Sequence, residues 1–180
     1  ESIISKDTLL TCHSLTGYSG GGKRMIAHYE EKPDELLKAP REYALGQRHK
    51  HLPEMKAMTG ITYDPIFCPI VSNFYSGMLV TVSLFAQQLS AGKTIDDVRR
   101  VLQEKYNDPL VRYYESIDEN GYVSAAGLEG KDSMQITVCG NEQRILLMAR
   151  YDNLGKGSAG AAIECLNIKL GLDKTTGLDL

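Results

Sequence analysis

The sequence predicts an α+β domain with a mixed, largely antiparallel sheet. Two strand-like stretches, Ser133–Cys139 and Arg144–Tyr151, meet around Gly140-Asn141, a hairpin signal. The elements run strand, helix, helix, then several strands with one helix among them, then a long terminal helix. That order shows only weak strand–helix–strand alternation, so a purely parallel sheet is disfavoured. With 180 residues, 42% apolar and 24% charged, the chain has enough material for one soluble domain with a real core.

Thr8 to Leu15 is an apolar, β-branched run without Pro or Gly, and it reads as a strand. Lys23 to Lys32 places Met25, Ile26 and Tyr29 at helical spacing. Lys32-Pro33 then opens a turn into an irregular segment, and Tyr43-Ala44-Leu45 is a short extended piece. Pro53 suits the first turn of a second helix, whose apolar face is Leu52, Met55 and Met58 and whose stop is Gly60. Ile66–Val71 is a strand interrupted by Pro69, which predicts a sheet edge or a bulge. Gly77–Phe85 is a strong strand. Thr94-Ile95-Asp96-Asp97 is a capping-box start, and Ile95, Val98, Val101 and Leu102 form the buried face of its helix. Asn107-Asp108-Pro109 ends that helix, and Val111–Ile117 is a further strand. Gly155 to Gly171 is a small-residue loop running into a helix, with Ala162, Ile163, Leu166 and Leu170 as its apolar face.

A net charge of -3 gives no reason to expect nucleic acid or an acidic membrane surface as partner. No apolar run reaches the roughly 20 residues of a membrane helix, and no targeting segment is visible. Cys12, Cys68, Cys139 and Cys165 form no CxxC pair and lie in apolar segments. Buried free thiols in a reducing cytoplasm are expected. The chain opens at Glu1 without Met and ends just past a helix, so both ends look cut from something larger.

The segment Leu15 to Arg24 carries four glycines between strand and helix. Free N–H groups at a helix start, with Lys23 beside them, suit a phosphate or carboxylate. The same glycines would also serve a purely structural turn. Gly17-x-x-x-x-Gly22-Lys23 matches a Walker A loop up to its last position, where Arg24 stands in place of the magnesium-binding Ser or Thr. Arg48-His49-Lys50-His51 is a dense basic cluster. Its cations suit an anionic substrate and push a histidine toward its neutral form. Two histidines alone make a poor metal site, and no metal is expected. Tyr43 is near enough in sequence to share a site with His49. His13 reads as structural and His28 as solvated. Asp152 to Gly157 is either a turn capped by Asp152 or Asn153, or a low-bulk helix start that a ligand can approach.

Three stretches taken together resemble a known family. They are Leu15 to Lys23, Tyr43 to Glu54 (with His49-Lys50-His51-Leu52-Pro53-Glu54), and Tyr151 to Ala162. In this order they are similar to the N-acetyl-γ-glutamyl-phosphate reductases, and Asn73 to Met78 is similar to the shorter branch of that family. The resemblance implies the C-terminal domain of a glyceraldehyde-3-phosphate-dehydrogenase-like enzyme, with helices on one face of the sheet. It implies NADP in the full-length enzyme and none bound to this chain alone. The reaction implied is reduction of an acyl phosphate to an aldehyde. It implies His49 as acid/base, with Tyr43 nearby and His51 as second choice. Ser19, Gly20 and Lys23, with Arg48, are implied at the substrate phosphate, and Asn153, Gly157 and Ser158 at the nicotinamide.

The chain departs from the family by lacking both a GxGxxG and a Pro-Gly-Cys motif. Residues 1–180 are therefore expected to be the catalytic and dimerisation domain alone, inactive by itself, and a homodimer or tetramer. Residues 155–172 are expected to form a helix that returns to the cofactor domain, and is otherwise frayed, displaced or docked on a neighbour. An aspartate-semialdehyde dehydrogenase-like domain and a non-catalytic oligomerisation module are the alternatives.

Overall fold

The computed structural model describes residues 2–31 and 34–180. The turn expected at Lys32-Pro33 lies outside them. The strands are β1 (Thr11–Gly17), β2 (Arg41–Glu42), β3 (Ile66–Ser72), β4 (Met78–Phe85), β5 (Val111–Tyr113), β6 (Met134–Gly140) and β7 (Arg144–Tyr151). The helices are α1 (Gly22–Glu30), α2 (His51–Thr59), α3 (Ile95–Lys105) and α4 (Gly160–Leu170). The strands form one sheet in the order β2-β3-β1-β4-β7-β6-β5. Pairs β1–β3 and β5–β6 are parallel and every other neighbour pair is antiparallel.

Strand alternation sorts the side chains onto two faces. In register, Cys12 faces Val82, which faces Leu147, and Leu84 faces Ile145. On this face Ile95 and Val98 of α3 pack with Leu84, Val138 and Ile145. Leu52 of α2 packs with Cys12 and Phe67, and Tyr29 of α1 with Leu37 and Val71. Three helices thus cover one face, as expected. The other face carries Leu15, Leu79, Leu146, Met148 and Ile70 in alternate positions. None of those three helices covers it, and Leu146 is 37% exposed.

Three expectations need correction. The segment at Tyr43–Leu45 pairs earlier, at Arg41–Glu42. Tyr43 still donates to the Pro69 carbonyl at 3.0 Å, but Pro69 has no N–H to return and Ala44 turns away at φ 55°. β5 stops at Tyr113 because Ser116 and Asp118 accept from the nearby amides of Asp118 and Gly121, drawing the chain into a turn. Among the cysteines only Cys12 is buried; Cys68 and Cys139 sit on the helix-free face and Cys165 is exposed on α4. The terminal helix α4 is regular, and its apolar residues stay open, with Leu166 55% and Leu170 62% exposed. It is held by its ends instead. Lys156 pairs with Glu164, and buried Asn167 donates to the carbonyls of Lys174 and Thr176.

Candidate functional site

A cavity of about 510 Å³ opens on the helix-covered face. Its floor is the sheet: Ser14 and Thr16 of β1, Met78 and Val80 of β4, and Tyr151 of β7. Three segments far apart in sequence form its rim.

The first is the Gly-rich turn. Gly17, Tyr18 and Ser19 donate their amides to the carbonyls of Gly77, Phe74 and Tyr75 at 3.0, 2.9 and 3.0 Å. Those N–H groups are spent within the protein, so an anion there must be held from Gly20 onward or by side chains. A Cβ on Gly17 would stand 2.5 Å from the Tyr75 carbonyl oxygen. Only glycine allows that approach. Gly22 takes φ 69° at the entrance to α1. Ser19 is 3% exposed yet lines the cavity. Its Oγ accepts from Asn153 Nδ2 at 3.0 Å, which leaves its own proton to donate.

The second is the segment after β7. Asp152 is 1% exposed and gathers four donors: Ser76 Oγ (2.8 Å) and the amides of Gly130 (2.6 Å), Leu154 (2.6 Å) and Gly155 (2.9 Å). Burial works to raise its pKa, but these four hydrogen bonds prevail and hold it below the ordinary carboxylate value. Asp152 therefore caps the turn in this stretch, and Gly155–Ala159 form a helical turn that follows it and leads into α4. Asn153 is fixed next to it. Its Oδ1 accepts from the Gly77 amide at 2.7 Å, and its Nδ2 reaches Ser19. Gly157 and Ser158 line the rim beyond.

The third is the loop from Tyr43 to His51. The His49 ring lies 5.9 Å from Tyr43, 4.6 Å from His51 and 5.0 Å from Phe67, centroid to centroid. The His51 amide donates to His49 Nδ1 at 3.2 Å, which assigns the proton of the neutral ring to Nε2. Burial, then the neighbouring His51 and Lys50, hold the His49 pKa below its usual value; Glu54 opposes them more weakly. Burial also raises the Tyr43 phenol.

The cavity thus brings together Ser19, Gly20, Tyr43, His49, His51, Asn153, Gly157 and Ser158. Lys23 and Arg48 are exposed and form no part of its wall. Met25 and Tyr29, four apart, mark the inward stripe of α1, and Lys23 falls off that stripe. Ser14, Thr16 and Tyr151 were not anticipated, although the period-2 alternation from Cys12 points to the first two. Burial, and secondarily Cys12, push the Tyr151 phenol up to about 12. None of the four cysteines lines the cavity, and burial, then Cys68, push the Cys12 thiol up to about 11. A thiol of that pKa is no nucleophile near neutrality. Among the described residues, no group of three or more His, Cys, Asp or Glu side chains could hold a metal ion.

The profile of the family described as semialdehyde dehydrogenase, dimerisation domain, matches residues 1–153. The chain belongs to this family. Among the relatives of this semialdehyde dehydrogenase domain are the N-acetyl-γ-glutamyl-phosphate reductases of Sinorhizobium medicae and Brucella ovis. The first is 36% identical, covering 89% of the chain and 54% of that relative. The second is 36% identical, covering 94% of the chain and 57% of the relative. The domain spans about half the length of the curated relatives it matches. Solved structures of the same fold include aspartate semialdehyde dehydrogenase II of Vibrio cholerae, complexed with ASA. Its TM-score is 0.62 at 15% identity, covering 90% of this chain and 54% of that one. A probable aspartate-semialdehyde dehydrogenase of Pseudomonas aeruginosa gives 0.63 at 18% identity, covering 91% and 56%. No helix among the described residues is long and apolar enough to cross a membrane.

Proposed function

We propose that residues 1–180 are the catalytic and dimerisation domain of an NADPH-dependent N-acetyl-γ-glutamyl-phosphate reductase. In arginine biosynthesis this enzyme converts N-acetylglutamyl 5-phosphate to the 5-semialdehyde. The observation that carries the reading is the single cavity into which the Gly-rich turn, the His49 loop and the Asn153–Ser158 segment converge. The relatives named for this reaction add to it.

The cavity suits an acyl phosphate. Ser19 keeps a free hydroxyl proton, aligned by Asn153, for an oxygen of the phosphoryl group. His49 holds its proton at Nε2 and donates it in a hydrogen bond to the acyl oxygen. There it stabilises the negative charge as the carbonyl becomes tetrahedral. The attacking thiolate comes from none of this chain's cysteines, and phosphate departs as the thioester forms. The rim of Asn153, Gly157 and Ser158 fits the edge of a nicotinamide: Asn153 Nδ2 retains one hydrogen, Ser158 has a hydroxyl with no protein partner among the described residues, and Gly157 adds no bulk. When bound there, NADPH would supply the hydride that takes the thioester to the aldehyde, with the thiolate as leaving group. Two copies would join through the helix-free sheet face, opposite the cavity, and α4 would dock its exposed apolar residues on the cofactor domain.

The test is turnover of N-acetylglutamyl phosphate by the full-length protein with NADPH, followed at the nicotinamide absorbance. Aspartyl phosphate is the competitor. A preference for aspartyl phosphate would replace this reading with the aspartate-semialdehyde one.

A further inference from the structure

The loop carrying Tyr43 and His49 leaves the sheet at β2 after only two paired residues. Arg41 faces Val71 and Glu42 faces Ile70. Continued in that antiparallel register, residue 43 faces Pro69 and residue 45 faces Phe67. The rung at Pro69 is half made, because proline accepts from Tyr43 but donates nothing. The rung at Phe67 is not made by the backbone at all, since Leu45 has swung out and is 77% exposed. Yet the Phe67 backbone is satisfied on that side. Its amide donates to Gln47 Oε1 at 2.9 Å, and its carbonyl accepts from Gln47 Nε2 at 2.9 Å. A carboxamide has the same donor and acceptor as a peptide group, so the Gln47 side chain supplies the rung that the looped-out backbone withdraws.

The detour has a backbone cost, with Ala44 and Gln47 at φ 55° and 52°, conformations that side chains other than Gly rarely adopt. The two bonds to Phe67 and the Gln47 amide bond to Ala44 (2.8 Å) offset it. What the detour achieves is placement. It ends two residues before His49, whose ring rests on the ring of the same Phe67 that Gln47 grips.

We propose that Gln47 is a positioning residue, whose carboxamide completes the sheet edge that Pro69 interrupts and thereby fixes Tyr43 and His49 over the cavity. The inference rests on the assignment of His49 above. Gln47→Met keeps the length of the side chain and removes both bonds. Gln47→Asn is one methylene too short to make both. Gly46→Ala is the control, because a Cβ there meets nothing.

Two readouts in the full-length protein decide the matter. The pH dependence of His49 carbethoxylation, read by peptide mass spectrometry, reports the ionisation of the ring without any turnover. The groups facing that ring are Tyr43, His51, Lys50 and Glu54, all unchanged in the variants. Gln47→Met should free and hydrate the ring, so its midpoint rises toward the ordinary imidazole value of about 6.5. In turnover kcat should fall about tenfold, as expected when a reacting group is misplaced by a fraction of an ångström. Gln47→Asn should fall between, and Gly46→Ala should match the parent protein. An unchanged midpoint in Gln47→Met overturns the proposal, whatever happens to kcat. So does a Gly46→Ala midpoint that moves as far. If the parent protein turns over no acyl phosphate, the proposed reaction fails and the midpoint alone still judges Gln47.

Discussion

Of the two histidines in Arg48-His49-Lys50-His51, only His49 is wedged among three rings, and the His51 amide bonds to its Nδ1. The protonated ring cannot accept that bond, so the oriented form is the neutral one. Because the His49 pKa is lowered, chiefly by burial, the neutral form persists below the usual imidazole range. The acid limb of kcat/KM should therefore lie below about 6.5. In His49→Asn, kcat should fall at least about a hundredfold with a smaller change in KM, as for loss of one donor to a developing oxyanion. His51→Asn keeps the backbone bond to His49 and removes one of the neighbours that lower its pKa. Its kcat should stay near the parent value while the acid limb moves up. Crippled His51→Asn beside a nearly normal His49→Asn would reverse the assignment.

The strand-to-helix turn and the segment after β7 are locked to each other through Gly77, whose carbonyl accepts from Gly17 and whose amide donates to Asn153. Gly17→Ala should force the turn away from the Tyr75 carbonyl. Overpacking of this kind costs about 1–3 kcal/mol, and it should lower the thermal midpoint and weaken substrate binding together. Asp152 carries a pH signature. Its pKa is lower folded than unfolded, so the unfolded chain binds more protons between the two values. The resulting stability is fully present above the ordinary carboxylate value of about 3.9 and is lost as pH falls through the folded value. Acid unfolding followed by circular dichroism should show Asp152→Asn less stable than the parent near neutrality, with a shallower slope in that window. A slope equal to the parent's would mean that other carboxylates set it.

At the level of the whole molecule, the sheet divides the domain into two unlike halves. Helices and the cavity occupy one face, and the other holds a half-exposed apolar surface that includes Leu146. A domain of this size leaves such a face open only when something else covers it. Light scattering at tens of micromolar should show a dimer or larger, in the range where specific interfaces persist. Leu146→Lys, which touches no cavity wall, should dissociate it. A parent protein that is monomeric under those conditions would remove the interface from this face.

Local chemistry wrote much of this into the chain. The period-2 strands at 78–85 and 134–151, the Thr94 capping box and the Gly60 stop are all interactions among near neighbours, and they stand where the residue pattern puts them. The family resemblance likewise rests on short contiguous stretches, and eight of the ten residues it implies line one cavity. Long-range partners decided the rest. Lys23 looks like an anion ligand because it follows four glycines, but the packing of Met25 and Tyr29 sets which side of α1 faces inward. The turn's own amides look available until Phe74, Tyr75 and Gly77 arrive from another strand end to take them. Gln47 is an unremarked polar residue in a loop until Phe67, twenty positions away, presents an unpaired rung. Each is a hydrogen bond or packing contact whose partner is distant in sequence, and only the tertiary fold brings the two together.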